Sequence, residues 1–313
     1  MEYLRLSYSS GNTFESCARK FELDKLFPHR LKREEAYAAD TGSALHAGYQ
    51  HYLANRDKDA ATWAFMEAFP YELEFQQDND YRDFNACLAT FDEMLDSFAL
   101  GDYELAQIKR PDGLIVPATE VPFEIRFEGI ELPPSPKYPN GCGVAFIGYI
   151  DAIMRNLMTD LYRTLDIKTH RDRTIDRTGK YKFDSQQVPY GIVVDHISGQ
   201  PVESFEVLYL DTYIDIVDPR VKLYPFLKSR EDLQEWLLTR VMQFQLMEKY
   251  GQGGFWPRTS GGCMFFNRPC RYLEPCITRD SKTLENWFLM GERAESEKPF
   301  EPWVTVTVNP FGG

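Results

Sequence analysis

The feature that most limits what this chain can fold into is a pair of strand-like runs, VAFIGYIDAIMRN (144–156) and YRTLDIK (162–168), joined by a short polar link at 157–160. A link that short connects neighbouring antiparallel strands, because a parallel pair needs a crossover of a dozen residues or more. The spacing therefore predicts a β-hairpin. Asp151 interrupts the first run, which is otherwise apolar, and Asp166 and Lys168 end the second. Side chains two apart share one face of a strand, so Asp166 and Lys168 point the same way. On a surface such a pair is a salt bridge worth roughly 0–1 kcal/mol. Asp151 changes that reading, since two carboxylates near the centre of a sheet repel each other and resist leaving water. Something positive belongs between them. A divalent metal fits, and it can polarise a phosphoryl oxygen and generate hydroxide. Lys168 would then orient the attacking water or neutralise charge that builds on the phosphate.

The rest of the chain supplies the elements that enclose this hairpin. TGSALHAGYQHYLAN (41–55) carries Ala44, Leu45, Gly48, Tyr49 and Tyr52 at helical spacing, with Thr41 as N-cap. Residues 58–100 continue as amphipathic helix in ATWAFMEAF and FNACLATFDEMLDSFAL. EVPFEIRFEGIEL (120–132) then alternates Val121, Phe123, Ile125 and Phe127 with mostly polar neighbours, which predicts a strand with one buried face. LPPSPKYPNGCG (132–143) reads as loop. Beyond the hairpin, SQQVPYGIVVDHI (185–197) predicts a helix whose first turn Pro189 and Gly191 weaken, and VESFEVLYLD (202–211) predicts a strand. REDLQEWLLTRVMQFQLMEKYG (230–251) predicts a long helix ending at Gly251. This order fits an α/β domain with a helical insertion, and no repeat or low-complexity tract interrupts it.

A chain of 313 residues that is 43% apolar can bury a sizeable core. No stretch of about 18 apolar residues occurs, and the N-terminus lacks a basic segment followed by an apolar one, so the expectation is a soluble, cytoplasmic protein without membrane contact. The net charge of −13 argues against coating nucleic acid by bulk electrostatics. Locally the balance reverses: KTHRDRTIDRTGKYK (168–182) holds six Lys or Arg against two Asp, and it follows the Asp166–Lys168 pair directly. A solvated loop is the plain reading of such a stretch. RTGKY lacks the upstream glycine and the following Ser or Thr of a phosphate-binding loop, so any motor is a separate chain.

Asp151 followed by Asp166-Ile167-Lys168 after a hairpin resembles the core of the PD-(D/E)xK nuclease superfamily. Nucleases similar to the RecB nuclease domain and to Cas4 also carry a His on an upstream helix in a G-x-x-x-H context, here Gly42 to His46. They carry a Q-x-x-x-Y motif after the D-x-K strand, here Gln186 to Tyr190. The adjacent Gln187 leaves that register open by one, and Pro189 departs from the motif. The resemblance implies a restriction-endonuclease-like core, a mixed central sheet flanked by helices. It implies that His46, Asp151, Asp166 and the carbonyl of Ile167 bind Mg²⁺ or Mn²⁺. It makes Lys168 the catalytic lysine, with Gln186 and Tyr190 steadying it or the DNA backbone, and it matches Glu120 only loosely. Arg171, Arg173, Arg177, Lys180 and Lys182 become candidate nucleic-acid contacts. The expected activity is a metal-dependent DNA exonuclease acting on ends or single strands in DNA processing, recombination or repair, with a separate helicase or recombination protein as a candidate partner. The alternative is a silent nuclease fold that grips DNA ends or scaffolds a partner.

Six cysteines remain to be explained. Cys263, Cys270 and Cys276 cluster among Pro, Gly and Arg in CMFFNRPCRYLEPC, one thiolate short of a tetrahedral site. In the iron–sulfur members of the resembled family the fourth ligand lies near the N-terminus and is followed by basic residues, as Cys17 is in SCARKFEL. Four thiolates suit Zn²⁺ or a [4Fe–4S] cluster, and the resemblance favours the cluster. Cys87 and Cys142 read as bystanders. The expected organisation is one nuclease domain over 1–313 with an inserted helical segment at about 58–110. Its Cys-rich region, 254–280, packs with the N-terminal segment, so a cluster would act as a staple worth several kcal/mol, by analogy with the ~4–5 kcal/mol of a disulfide closing a loop of about 100 residues.

Overall fold

The periodic runs become helices and strands in the computed structural model, which describes residues 2–27, 37–74, 82–97, 101–170, 176–215, 217–259, 263–265, 268–278 and 300–311. In chain order the elements are β1 (Tyr3–Leu6), α1 (Tyr8–Ser16), α2 (Ala18–Lys25), α3 (Tyr37–Asn55), α4 (Lys58–Ala68), α5 (Tyr71–Glu74), α6 (Phe84–Ser97), β2 (Tyr103–Leu105), β3 (Gln107–Lys109), β4 (Ile115–Pro117), β5 (Thr119–Leu132), β6 (Cys142–Asn156), β7 (Tyr162–His170), α7 (Thr178–Phe183), α8 (Tyr190–Ser198), β8 (Ser204–Tyr213), β9 (Arg220–Ser229), α9 (Arg230–Gln252), β10 (Met264–Phe265), β11 (Arg268–Pro269), α10 (Leu273–Thr278) and β12 (Val304–Val308). The class is mixed α/β, with a mixed sheet flanked by helices, as expected. Two compact units divide the chain: Met1–Glu34, Glu124–Gly148 and Leu237–Gly313 form one, and Glu35–Phe123 and Tyr149–Trp236 form the other.

The second unit contains the hairpin. β6 and β7 pair antiparallel from Arg155↔Tyr162 to Ala152↔Leu165. β7 pairs parallel with β8 from Arg163↔Glu206 to His170↔Tyr213, and β8 pairs antiparallel with β9. Alternation then sorts the side chains. Ala152, Met154, Leu165, Ile167, Leu208 and Leu210 bury one face against Ala44, Tyr49, Phe65, Phe91 and Met94 of α3, α4 and α6. Each large apolar side chain so buried contributes about 1.5–3 kcal/mol. Thr164, Asp166 and Lys168 face the other way, toward the segment around α7 and α8, where Thr164 Oγ1 donates to Gln187 Oε1 at 2.9 Å.

Several elements differ from the sequence expectations. α3 begins at Tyr37, so Thr41 is not its N-cap but a fully buried residue inside it. Within the segment expected to be helical, α6 is described to Ser97 and residues 103–105 and 107–109 form short strands, of which β2 pairs with the end of β6. The helix expected from Ser185 starts instead at Tyr190, behind Pro189 at φ −64° and ψ −14°. Proline disfavours helical backbone in the residue before it and has no N–H to donate, so it opens a helix rather than continuing one. The basic loop is not all loop, since 178–183 coil into α7. β9 escaped notice because Pro225 and its charged residues mask the alternation, which an edge strand tolerates.

The first unit has β1 parallel to β6, from Tyr3↔Gly143 to Leu6↔Phe146. Ser7 caps α1 by accepting from Ser10 N–H at 3.4 Å. Phe21 stacks on Trp256 with ring centroids 6.0 Å apart, and Phe14 meets both edge-on. Glu124 is fully buried, and Arg5 at 2.7 Å and Arg126 at 2.5 Å compensate its charge. Gly251 sits near the end of α9 for a packing reason, because a Cβ there would meet Pro133 Cγ at 2.5 Å.

Candidate active site

The paired part of the hairpin runs to Ala152↔Leu165, and the next residues along are Asp151 and Asp166. Here a side chain takes over from the ladder: Asp151 Oδ2 accepts the Ile167 N–H at 2.7 Å. The donor is satisfied, and the carboxylate is fixed at the mouth of the hairpin. α3 passes beside it and places His46 Nε2 3.0 Å from the Ile167 carbonyl oxygen and Nδ1 3.6 Å from Asp151 Oδ2. One turn further along α3, Gln50 donates its amide to Glu120 Oε1. The ligand atoms of His46, Glu120 and Asp151 lie within 4.8 Å of one another.

Glu120 is the residue the sequence reading nearly missed. Its φ of +46° puts a non-glycine residue in left-handed backbone, a conformation that costs on the order of 1–3 kcal/mol and concentrates at functional sites. A usable signal was present in His46 and Gln50, four apart and hence on one face of α3. A pocket of about 550 Å³ opens over this group, lined by Gly42, His46, Gln50, Glu120, Ile167 and Lys168 among others. Burial pushes the Glu120 carboxyl above its ordinary range, and the Asp151 charge beside it adds to this. Burial likewise raises Asp151, with His46 pulling the other way and Asp166 adding to the rise. Two carboxylates that resist ionising side by side, joined by an imidazole and a backbone carbonyl, form a donor set for a hard divalent cation.

Asp166 and Lys168 do share a face. Lys168 Nζ lies 2.7 Å from Asp166 Oδ2, and Asp166 is 3% exposed. Burial alone would lower the lysine, but the carboxylates of Asp166, Asp151 and Asp184 together raise it above its ordinary range, Asp166 contributing both charge and a hydrogen bond. Gln186 bridges the pair, donating Nε2–H to Asp166 Oδ1 and accepting from Lys168 Nζ, both at 3.2 Å. Of the two adjacent glutamines, Gln186 hydrogen-bonds the lysine, while the buried Gln187 bonds Thr164. Gln186 stands before α8, not on it, and Tyr190 opens that helix. The Tyr190 hydroxyl donates to the Tyr149 carbonyl at 3.2 Å, and burial holds it far from ionising. Asp166 is turned to Lys168 and Gln186 and lies outside the trio that His46, Glu120 and Asp151 form.

Of the basic residues expected to touch nucleic acid, Arg171 and Arg173 lie outside the described residues. Lys180 and Lys182 are exposed. Arg177 is placed differently from the two lysines: it is buried, its guanidinium donating to Tyr213 Oη at 3.0 Å and lying 3.6 Å from the fully buried Asp211. Sequence could not show this, because Asp211 and Tyr213 come from a strand over thirty residues away.

The four expected cysteine ligands all belong to the first unit. Cys17 is buried between α1 and α2, and Cys263, Cys270 and Cys276 are half-buried. Cys270 N–H donates to the Cys263 carbonyl at 2.8 Å. Cys270 and Cys276 pack against Leu23 and Tyr272. Burial raises the Cys276 thiol; Arg19 lowers it, and the sulfurs of Cys270 and Cys17 are close enough to raise it further. All six cysteines are free of disulfides, and Cys87 and Cys142 are buried elsewhere.

The fold brings acids, an imidazole and a lysine together where a hairpin opens, the arrangement expected of a carboxylate–lysine hydrolase. The chain belongs to the PD-(D/E)XK nuclease superfamily, whose family model matches residues 5–276. Membership implies a nucleic-acid substrate and divalent-metal chemistry. Among solved structures, the chain is similar to one from Eubacterium rectale described as "Putative exonuclease", at 14% identity and a TM-score of 0.48, covering 83% of this chain and 85% of that one. It is also similar to SSO0001, at 15% identity and a TM-score of 0.23, covering 66% and 74%. No curated protein matches the chain. Among the described residues no helix is long and apolar enough to cross a membrane.

Proposed function

We propose that this protein is a Mg²⁺- or Mn²⁺-dependent deoxyribonuclease of the RecB and Cas4 kind, an exonuclease acting on DNA ends or single strands during DNA processing. The observation that carries the reading is the Lys168–Asp166 ion pair, held by Gln186, next to the cluster of His46, Asp151, Glu120 and the Ile167 carbonyl. His46, Asp151, the Ile167 carbonyl and, after a carboxylate turn, Asp166 would hold the cation, with Glu120 as a further oxygen ligand. Oxygen donors with one imidazole suit Mg²⁺ or Mn²⁺. A cation held there supplies Lewis-acid polarisation of the phosphoryl oxygen and acidifies the attacking water. Lys168 neutralises charge on the phosphate as its bond breaks, and Gln186 keeps the ammonium aimed. Tyr190 buttresses Gln186 from the start of α8.

The same reading gives Cys17, Cys263, Cys270 and Cys276 a [4Fe–4S] cluster in preference to Zn²⁺. What supports it is the nearness of the Cys276 thiol to those of Cys270 and Cys17, the backbone hydrogen bond that ties Cys270 to Cys263, and Arg258 donating to the Cys276 carbonyl at 2.6 Å. The cluster would staple residues near 17 to those near 270.

The test is degradation of an end-labelled single-stranded oligonucleotide by anaerobically purified protein, with Mg²⁺, with Mn²⁺ and with chelator. Lys168→Met should lose about 10²–10³-fold in rate, the usual effect of deleting one preorganised charge stabiliser. Wild-type protein without metal-dependent cleavage sinks the enzyme and leaves a silent, DNA-gripping fold. Nicking of closed circles as fast as linear molecules sinks the exonuclease. Stoichiometric zinc without acid-labile sulfide sinks the cluster.

A further inference from the structure

We propose that Phe183 is a base-stacking residue of this site: its ring takes the face of an unpaired nucleobase on the strand whose phosphate Lys168 engages, while Lys180 and Lys182 hold neighbouring phosphates. The inference rests on the nuclease reading. Phe183 is 81% exposed, a large apolar ring left in water at the end of a helix of six residues. A helix that short does not persist by itself. This one is clamped at two points. The Tyr181 ring stacks on Tyr209 with centroids 4.1 Å apart and meets Tyr224 edge-on at 5.3 Å. The Tyr181 hydroxyl donates to the buried Asp211 and lies 2.8 Å from His170 Nε2. At the other end Lys228, itself 5% exposed, donates Nζ–H to the Lys182 carbonyl at 3.0 Å. Burying an ammonium to hold one carbonyl fixes the backbone from which Phe183 projects.

The platform is also continuous with the chemistry. Asp184, next in sequence, accepts the Gln186 N–H at 2.8 Å, and its charge acts on Lys168. Three residues of chain span at most about 11 Å, so the Phe183 backbone stands within that distance of Gln186. Lys180 and Lys182 are exposed on the same helix, and the Lys182 ammonium lies 5.9 Å from the Phe183 ring centroid. An exposed ring with the Lys182 ammonium over it, on a helix that also exposes Lys180, suits a base and its phosphates better than an apolar protein partner. Every base has a π-face, so the contact is tolerant of sequence, but a base inside a duplex is already stacked on both sides. Phe183 therefore selects unpaired strands.

The experiment measures binding of a single-stranded oligonucleotide carrying 2-aminopurine to the full chain in chelator, beside the cleavage assay. Phe183→Ala should weaken binding about tenfold, the usual effect of removing one stacking ring, and abolish the quenching of 2-aminopurine. In cleavage the loss should fall on KM. Phe183→Trp should restore binding, with its indole emission quenched by the strand, and blunt duplex should discriminate far less between the variants. If Phe183→Ala binds single strands like wild type while Asp166→Ala blocks cleavage, the stacking role falls and the nuclease reading stands. If wild type binds with a Phe183→Ala defect but never cleaves, the nuclease reading falls alone. Wild type that neither binds nor cleaves removes both, and a Phe183→Trp variant no better than alanine removes the stacking role.

Discussion

Gly48 lies two residues beyond His46 on α3, where the helix crosses α4 and α6. A Cβ added there would meet Phe65 Cβ at 2.7 Å and the Phe91 ring at 2.7–2.9 Å. Neither ring can yield, since both are fully buried and stacked on each other with centroids 5.1 Å apart. Gly48→Ala therefore sets two effects against each other. Alanine in a helix interior gains about 0.8–1 kcal/mol over glycine, whereas overpacking a filled core costs about 1–3 kcal/mol. Gly42 on the same helix provides the control, because its Cβ would meet only Thr169 Oγ1 at 3.4 Å. Subtracting Gly42→Ala from Gly48→Ala cancels the propensity gain and leaves the packing cost, expected at about 1–3 kcal/mol. Urea unfolding of the two variants and wild type, compared at constant slope, reads this as a lower midpoint for Gly48→Ala. Equal midpoints, or a more stable Gly48→Ala, would refute the packing argument. Because the strain must move α3, Gly48→Ala should also weaken Mn²⁺ binding more than Gly42→Ala does.

Two further outcomes follow from buried polar groups. Asp211→Ala strips Tyr181, His170 and Arg177 of their shared carboxylate and should cost about 3–5 kcal/mol in urea unfolding; a cost below about 1 kcal/mol would show that the network contributes little. Burial pushes the Cys142 thiol up to about 11, and only the thiolate alkylates, so at pH 8 roughly one molecule in a thousand is reactive there. Native protein should leave Cys142 unlabelled by iodoacetamide at pH 8, with labelling rising as pH climbs toward 11; mass spectrometry of the peptide decides.

Local periodicity made much of the architecture legible. The β6–β7 hairpin, the helix carrying His46 and the shared face of Asp166 and Lys168 depend on which neighbours along the chain are apolar, and a strand or helix expresses that pattern wherever it packs. The misreadings have a common cause as well. Helix α7 looked like loop because Tyr181 forms it by stacking on Tyr209, 28 positions away in sequence. β9 hid behind Pro225, which only an edge position makes harmless.

For the candidate site, sequence alone set the chemical inventory: two acids, a lysine and an imidazole, in an order that only a hairpin and an upstream helix can bring together. Tertiary structure decided their partners. It chose Gln186 over Gln187 for Lys168, drew Glu120 into the trio with His46 and Asp151, and withdrew Arg177 behind Asp211. Those choices turn on hydrogen bonds and desolvation between residues far apart in the chain. Their strength depends on a buried geometry that no local pattern encodes.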